Sequence, residues 1–237
     1  MSSVYLLTVR QLVGRWRLLI MSALAAMPVF MAELAIWSNQ SPSVEEFEEI
    51  VFSGMLAGSI APLVVLAIAT VAFGNEVEDR TLANLTLSPI PRWHIVLPKL
   101  LATISVAGVF IAISALVTTY VAFNGDLTAT IAVAVSALIG VALYASAFVW
   151  LGLRTTQAIG IGLAYIVLWE GFFSTFVSGV RFLSIGRYSI ALMHGFDGRR
   201  FATADNLSFG FAIGASVVVF VGFLLLTIRR LRRMDVP

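Results

Sequence analysis

The chain has 237 residues, of which 59% are hydrophobic and only 12% are charged, and its formal net charge is +2. A soluble domain is normally about a quarter charged, so the composition excludes a water-soluble enzyme or binding module, and the small net charge argues against a nucleic-acid partner. The sequence has no cysteine, which excludes disulfide frameworks, thiol nucleophiles, Cys-ligated zinc and iron–sulfur clusters.

The N-terminal stretch Val4–Arg17 mixes apolar and basic residues. This pattern predicts an amphipathic elbow helix that lies in the inner membrane interface before the first span. The alternative is a disordered tail with ordinary flanking charges. The basic and interfacial residues of the predicted elbow are Arg10, Arg15, Trp16 and Arg17.

Six apolar runs are long enough to cross a membrane, since a spanning helix needs about 20 apolar residues. None of them alternates with the period of a barrel strand, and helices satisfy their own backbone hydrogen bonds in lipid. Residues 1–237 are therefore predicted to form a single all-α transmembrane domain. Its six predicted spans are Leu18–Trp37, Ile50–Phe73, Leu100–Phe123, Leu127–Leu151, Gln157–Gly179 and Leu207–Ile228.

The stretch Gly74–Lys99 between the second and third runs combines acids, leucines and prolines. Glu76, Glu78 and Asp79 directly follow a span, and Leu82 and Leu85 offer an apolar face before the chain breaks at Pro89 and Pro91. The pattern predicts a short amphipathic helix parallel to the membrane that receives force from a soluble partner. A solvated charged loop fits three leucines and two prolines in so small a space poorly.

Two acids lie within predicted spans, Glu33 in the first and Glu170 in the fifth. Acids inside a membrane usually face the bundle interior or a wet cavity. Both are candidates for a polar substrate path or a proton site; the alternative is a hydrogen bond between helices near the outer interface. The last outer loop, Val180–Asn206, is too apolar to lie free in water, and short helices dipping into the outer leaflet are expected there.

The positions of Lys and Arg predict the orientation. If the N-terminus is inside, eleven of these residues lie in inner segments and four in outer segments, and the first outer loop, Ser38–Glu49, has four Glu and no Lys or Arg. Both termini are therefore predicted to be cytoplasmic. No HExxH, GxxxxGK[ST] or GxGxxG motif occurs, so the chain is expected to bind no metal or nucleotide through these motifs.

The cytoplasmic stretch resembles the signature of type-2 ABC transporter permeases, the membrane subunits of bacterial and archaeal ABC exporters. The resemblance covers Glu76-x-Glu78-x-x-Thr81-Leu82-x-x-Leu85, then Pro89-Ile90-x-Arg92 and Lys99. The layout of elbow, six spans and a large last outer loop is also similar. Arg80 departs from the pattern, where the family commonly has Gly.

The resemblance implies a permease rather than an enzyme, in the cell membrane of a bacterium or archaeon. It implies a homodimer or heterodimer of permease chains with two separate ATPase subunits beneath, which would bind ATP and Mg²⁺, while this chain carries no cofactor. It also implies that substrate passes between the protomers beside the second and fifth spans. The implied ATPase-coupling residues are Glu76, Glu78, Asp79, Arg80, Thr81, Leu82, Leu85 and Pro89.

Three other functions compete with that of an exporter permease. A haem-exporter permease of cytochrome c maturation has a similar size and span number, but no Trp-rich haem-handling motif stands out in the long outer loop. A stand-alone secondary transporter would use Glu170 for ion coupling. A lipid-modifying enzyme would need Asp, His or Arg clustered at one depth, and the sequence shows no such cluster.

Overall fold

The computed structural model describes residues 2–38, 43–78, 91–174, 182–201 and 207–233. All regular structure within these ranges is helical, as predicted. The elements are α1 (Ser2–Leu12), α2 (Arg15–Trp37), α3 (Val44–Glu46), the π-helix π1 (Phe47–Ile60), α4 (Ala61–Glu78), α5 (Trp93–Ala122), α6 (Leu127–Arg154), α7 (Ala158–Ala164), the π-helix π2 (Tyr165–Phe173), α8 (Ile185–Phe196) and α9 (Phe209–Arg233).

Five helical segments in the described ranges are long and apolar enough to cross a membrane: Arg15–Trp37, Val44–Gly74, Trp93–Ala122, Leu127–Arg154 and Phe209–Arg233. They coincide with five of the six predicted spans. The remaining prediction, Gln157–Gly179, corresponds to the shorter apolar helix Ala158–Phe173, and its last part lies outside the described residues. The chain is therefore a multi-pass helical membrane protein with five candidate spans in the part described.

The helices differ from the sequence prediction in two places, the start of the third span and the N-terminal elbow. The third span begins at Trp93 rather than Leu100, so Pro98 and Lys99 lie inside α5. The predicted elbow Val4–Arg17 is two helices, because α1 ends at Leu12 and α2 begins at Arg15. Arg10 therefore belongs to α1, whereas Trp16 and its two flanking arginines form the first turn of α2.

The central helix of the bundle is α6, which packs against α4, α5, α8 and α9. Its inner-facing positions are rich in Ala, Gly, Ser and Thr, and small residues let helix backbones approach closely in a membrane protein. At Gly152 the approach is closest, since a Cβ there would lie 2.8 Å from the Thr70 carbonyl oxygen and 3.0 Å from the Thr70 Cα atom of α4. The contact between α4 and α6 therefore requires glycine at this position.

Helices α2 and α9 lie at the periphery of the bundle. Only 22% and 17% of their most apolar stretches are buried in the chain, against 72% for Val44–Gly74. Large side chains such as Phe30 on α2 and Val218 on α9 are mostly exposed. Such exposed apolar surfaces are suited to contact with lipid or with a second membrane chain.

We expect Gly152→Ala to destabilise the protein, because the added Cβ has to push the Thr70 backbone away. Gly222→Ala in α9 is the matched control, since a Cβ there meets no atom within 4 Å. Thermal unfolding of the detergent-purified protein, followed by tryptophan fluorescence, measures the difference. A Gly152→Ala protein as stable as the Gly222→Ala protein would contradict the close α4–α6 contact.

Candidate functional site

The Glu170 carboxylate lies buried in π2, with 6% of the residue exposed. It accepts hydrogen bonds from three donors of two different elements. Oε1 accepts from the Tyr165 hydroxyl at 2.9 Å and from the Ile185 backbone N–H at 3.0 Å, and Oε2 accepts from the Ser184 hydroxyl at 2.5 Å. A buried carboxylate with three donors is well compensated for its loss of water.

Two of these donors belong to the beginning of α8, so Glu170 joins π2 to that helix. Ser184 is the N-cap of α8, and its hydroxyl also accepts the Arg187 backbone N–H at 3.2 Å. A negative group at a helix N-terminus is stabilised by the unpaired backbone N–H groups and by the helix dipole. The carboxylate thus fixes the position of α8 against the fifth predicted span.

The first turn of α8 also lies close to π1 and α6. A Cβ at Gly186 would lie 3.2 Å from Glu170 Oε2, 3.5 Å from the Tyr144 hydroxyl oxygen and 3.6 Å from the Ala57 carbonyl oxygen. The fully buried Tyr144 donates its hydroxyl to that Ala57 carbonyl at 3.3 Å. Four elements therefore meet around one glycine, and an added methyl group there would press on the Glu170 carboxylate.

A polar cavity of about 390 Å³ lies between π1, π2 and the first two turns of α8. Because Glu170 and Ser184 both line it, the anchored carboxylate forms part of its wall. The side of the cavity formed by Glu49, Gly54 and Ser59 is exposed. The residues that line it are Glu49, Ser53, Gly54, Gly58, Ser59, Glu170, Gly171, Ser174, Ser184, Gly186, Arg187 and Ile190.

The far end of α8 is attached to π1 by a second polar contact. His194 Nε2 lies 2.7 Å from Glu48 Oε1, with both side chains almost fully buried. The His194 ring stacks parallel to Phe201, with 6.5 Å between the centroids. His194 is thereby joined to an acid 146 positions earlier in the chain.

The residues after α8 bind the turn between α5 and α6. Arg200 lies 3.1 Å from Asp126, and its guanidinium stacks 4.8 Å above the centre of the Phe123 ring. Asp126 also caps α6 by accepting the Thr128 backbone N–H at 2.9 Å. This pair holds the α8 segment to two further spans.

The opposite end of the bundle contains a buried lysine. Lys99 is 2% exposed, donates to the Ala72 carbonyl at 2.5 Å and lies 4.4 Å from the centre of the Phe73 ring. Lys99 thereby joins α5 to α4, the second half of the second span.

The predicted site residues fall in different places. Glu170 lines the cavity, whereas Glu33 is exposed on α2 and is not among the cavity's lining residues. Glu76 and Glu78 belong to the last turn of α4, and the remaining predicted coupling residues, from Asp79 to Pro89, lie outside the described residues. Arg10, Arg15 and Trp16 are exposed.

Sequence analysis missed most of the cavity lining. Gly54 and Gly58 carry the small-residue spacing of a helix-packing motif, but in the structure they form the cavity wall together with Ser53 and Ser59. Small and hydroxyl residues on one face of an apolar span were the available signal. Their partners on α8 are more than 120 positions away in the chain, so spacing alone could not bring them together.

A family model described as "ABC-2 family transporter protein" matches residues 15–186. The match begins at the first residue of α2 and ends in the first turn of α8. It therefore includes π1 and π2, which form two walls of the cavity, and Glu170. It confirms the resemblance found in the cytoplasmic stretch. No curated protein matches the chain.

We expect Glu170→Ala to destabilise the protein by at least about 3 kcal/mol, since a hydrogen bond to a charged group contributes roughly 1.5–3 kcal/mol and three donors lose their acceptor. Glu170→Gln should cost less, because its amide oxygen still accepts from Tyr165 and Ile185. Tyr165→Phe, which removes one donor, is the graded control. Equal thermal stability of the wild-type and Glu170→Ala proteins would show that the carboxylate does not hold α8.

Proposed function

The chain belongs to the ABC-2 family of transporter proteins, and from this premise we propose that it is the permease subunit of an ATP-driven exporter that works with separate ATPase subunits. The observation that carries the proposal is a polar cavity beside the second and fifth predicted spans of a largely apolar bundle. Polar surface at membrane depth is costly unless it faces water or a polar partner. If the cavity is part of a substrate path, its polar surface faces water or a polar substrate.

In the proposed complex, two permease chains meet at the side where the cavity opens. Glu49, Gly54, Ser59 and Gly171 are exposed on that side, and a second chain would shield these polar positions from lipid. The substrate would pass between the two chains along this surface. The complex would lie in the plasma membrane of a bacterium or archaeon, with both termini of the chain in the cytoplasm.

Two ATPase subunits, which would bind ATP and Mg²⁺, would dock beneath the permease chains. The proposed docking element is the stretch Glu76–Pro89, which follows α4 directly. The buried Lys99 contact joins α5 to α4 near this stretch, so motion of the docking element would reach two spans at once. The α1 helix packs against α5 and α4 and is the proposed elbow. A stand-alone secondary transporter, the competing proposal, would have no ATPase partner.

We expect the double variant Leu82→Asp/Leu85→Asp to lose association with the ATPase while the membrane part stays folded. Burying two leucines at an interface contributes roughly 1.5–3 kcal/mol each, whereas an exposed ion pair contributes about 0–1 kcal/mol. The leucines should therefore dominate docking, and Glu78→Ala should weaken coupling more than binding. Co-purification of the ATPase with the tagged permease measures association.

Leu82→Met/Leu85→Met is the matched control, because it keeps an apolar face of similar volume and should retain the ATPase. A double aspartate variant that still co-purifies with a fully coupled ATPase would show that this stretch is not the docking element. Transport by the wild-type chain without any ATPase would contradict the exporter itself.

A further inference from the structure

The cavity between π1, π2 and α8 differs in chemistry from the rest of the chain. Its twelve lining residues comprise four serines, four glycines, two glutamates, one arginine and a single aliphatic residue, Ile190, although 59% of the chain is hydrophobic. Sites for apolar ligands are lined mainly by hydrophobic and aromatic side chains. The lining therefore suits a solute that forms hydrogen bonds better than a wholly apolar one.

The cavity extends far enough inward to require water or a hydrophilic solute. The exposed side of the cavity runs along π1 from Glu49, near the start of that helix, to Ser59, and its Glu49 end is called the mouth. These two residues are ten positions apart, which is at most about 15 Å at the rise of an ordinary helix and about half of a 30 Å hydrocarbon layer. Polar groups at that depth are tolerated where they line a water-filled space. The volume of about 390 Å³ accommodates a solute of the size of an amino acid or a monosaccharide.

The charges of the lining favour cations. Two carboxylates, Glu49 and Glu170, face one guanidinium, Arg187. Glu170 is the inner acid, held by Tyr165, Ser184 and Ile185, whereas Glu49 is exposed and lies where a solute enters. Serine hydroxyls add hydrogen-bonding oxygens along the wall between these two acids.

We propose that this cavity is a hydrated binding site for small hydrophilic solutes, that it takes cations such as ammonium-bearing molecules in preference to anions, and that Glu49 sets this preference at its mouth. The inference rests on the proposed function only where it identifies the bound solute as the exported cargo. The hydration and charge preference of the cavity belong to this chain alone.

The absence of cysteine from the chain allows a direct test in the purified full-length protein. Ser53→Cys places a thiol in the cavity wall with little change of volume, and Ser59→Cys places a second thiol further inward. The reaction rates of each thiol are measured with a cationic reagent, 2-(trimethylammonium)ethyl methanethiosulfonate, and with its anionic counterpart, 2-sulfonatoethyl methanethiosulfonate. The ratio of the two rates is divided by the same ratio for free 2-mercaptoethanol.

Both thiols should react, and the corrected ratio should favour the cationic reagent about tenfold at low ionic strength. One unit charge about 5 Å away in water changes the local concentration of a monovalent ion about fourfold, in opposite directions for the two signs, and added salt should reduce the effect. Glu49→Gln in the Ser53→Cys background should remove most of the preference. Glu45→Gln is the matched control, because Glu45 is exposed nearby and does not line the cavity.

Val218→Cys, on the exposed apolar face of α9, should react with neither charged reagent. If Ser53→Cys and Ser59→Cys are equally inert while Ser43→Cys in the outer segment reacts, the cavity is dry and the proposal is wrong. A corrected ratio near one, or one that Glu49→Gln leaves unchanged, would overturn the cation preference. None of these outcomes depends on an ATPase, so a failed co-purification would overturn the exporter without deciding the chemistry of the cavity.

Discussion

The buried carboxylate of Glu170 at the N-terminus of α8 is the interaction on which the α8 end of the bundle depends. It gives α8 a fixed starting point on π2 through Ser184 and Ile185, while the contact between His194 and Glu48 fixes the other end on π1. Because α8 is attached to both walls, it closes the space between them. The two attachments hold the amphipathic α8 across the gap between π1 and π2, where the cavity lies.

Because α8 is attached to both π1 and π2, its position depends on the distance between these two helices. Any change in the distance between π1 and π2 has to be accommodated by α8 or by one of its two attachments. The Arg200–Asp126 pair adds a third attachment at the turn between α5 and α6. A transport cycle that moves π1 against π2 would therefore involve α8 directly.

Hydropathy alone predicts most of the fold, because lipid requires long apolar helices and five of them lie where the apolar runs are. It misplaces the ends: α5 extends seven residues before Leu100, since Lys99 is buried against Ala72 instead of marking the polar boundary. Glu170 could be singled out as an acid within a span, but its donors Ser184 and Ile185 could not. They lie beyond the end of π2 on another element, and a contact between two elements cannot be predicted from the hydrophobic periodicity within one of them.

The central claim is the proposal that the polar cavity between π1 and π2 lies where two permease chains meet above their ATPases. A single-particle cryo-EM structure of the complex in lipid nanodiscs tests it most directly. We expect a second permease chain to cover the exposed edge formed by Glu49, Ser59 and Gly171, and an ATPase to contact the Glu76–Pro89 stretch. A chain surrounded by lipid on all sides, with this edge facing acyl chains, would contradict the account.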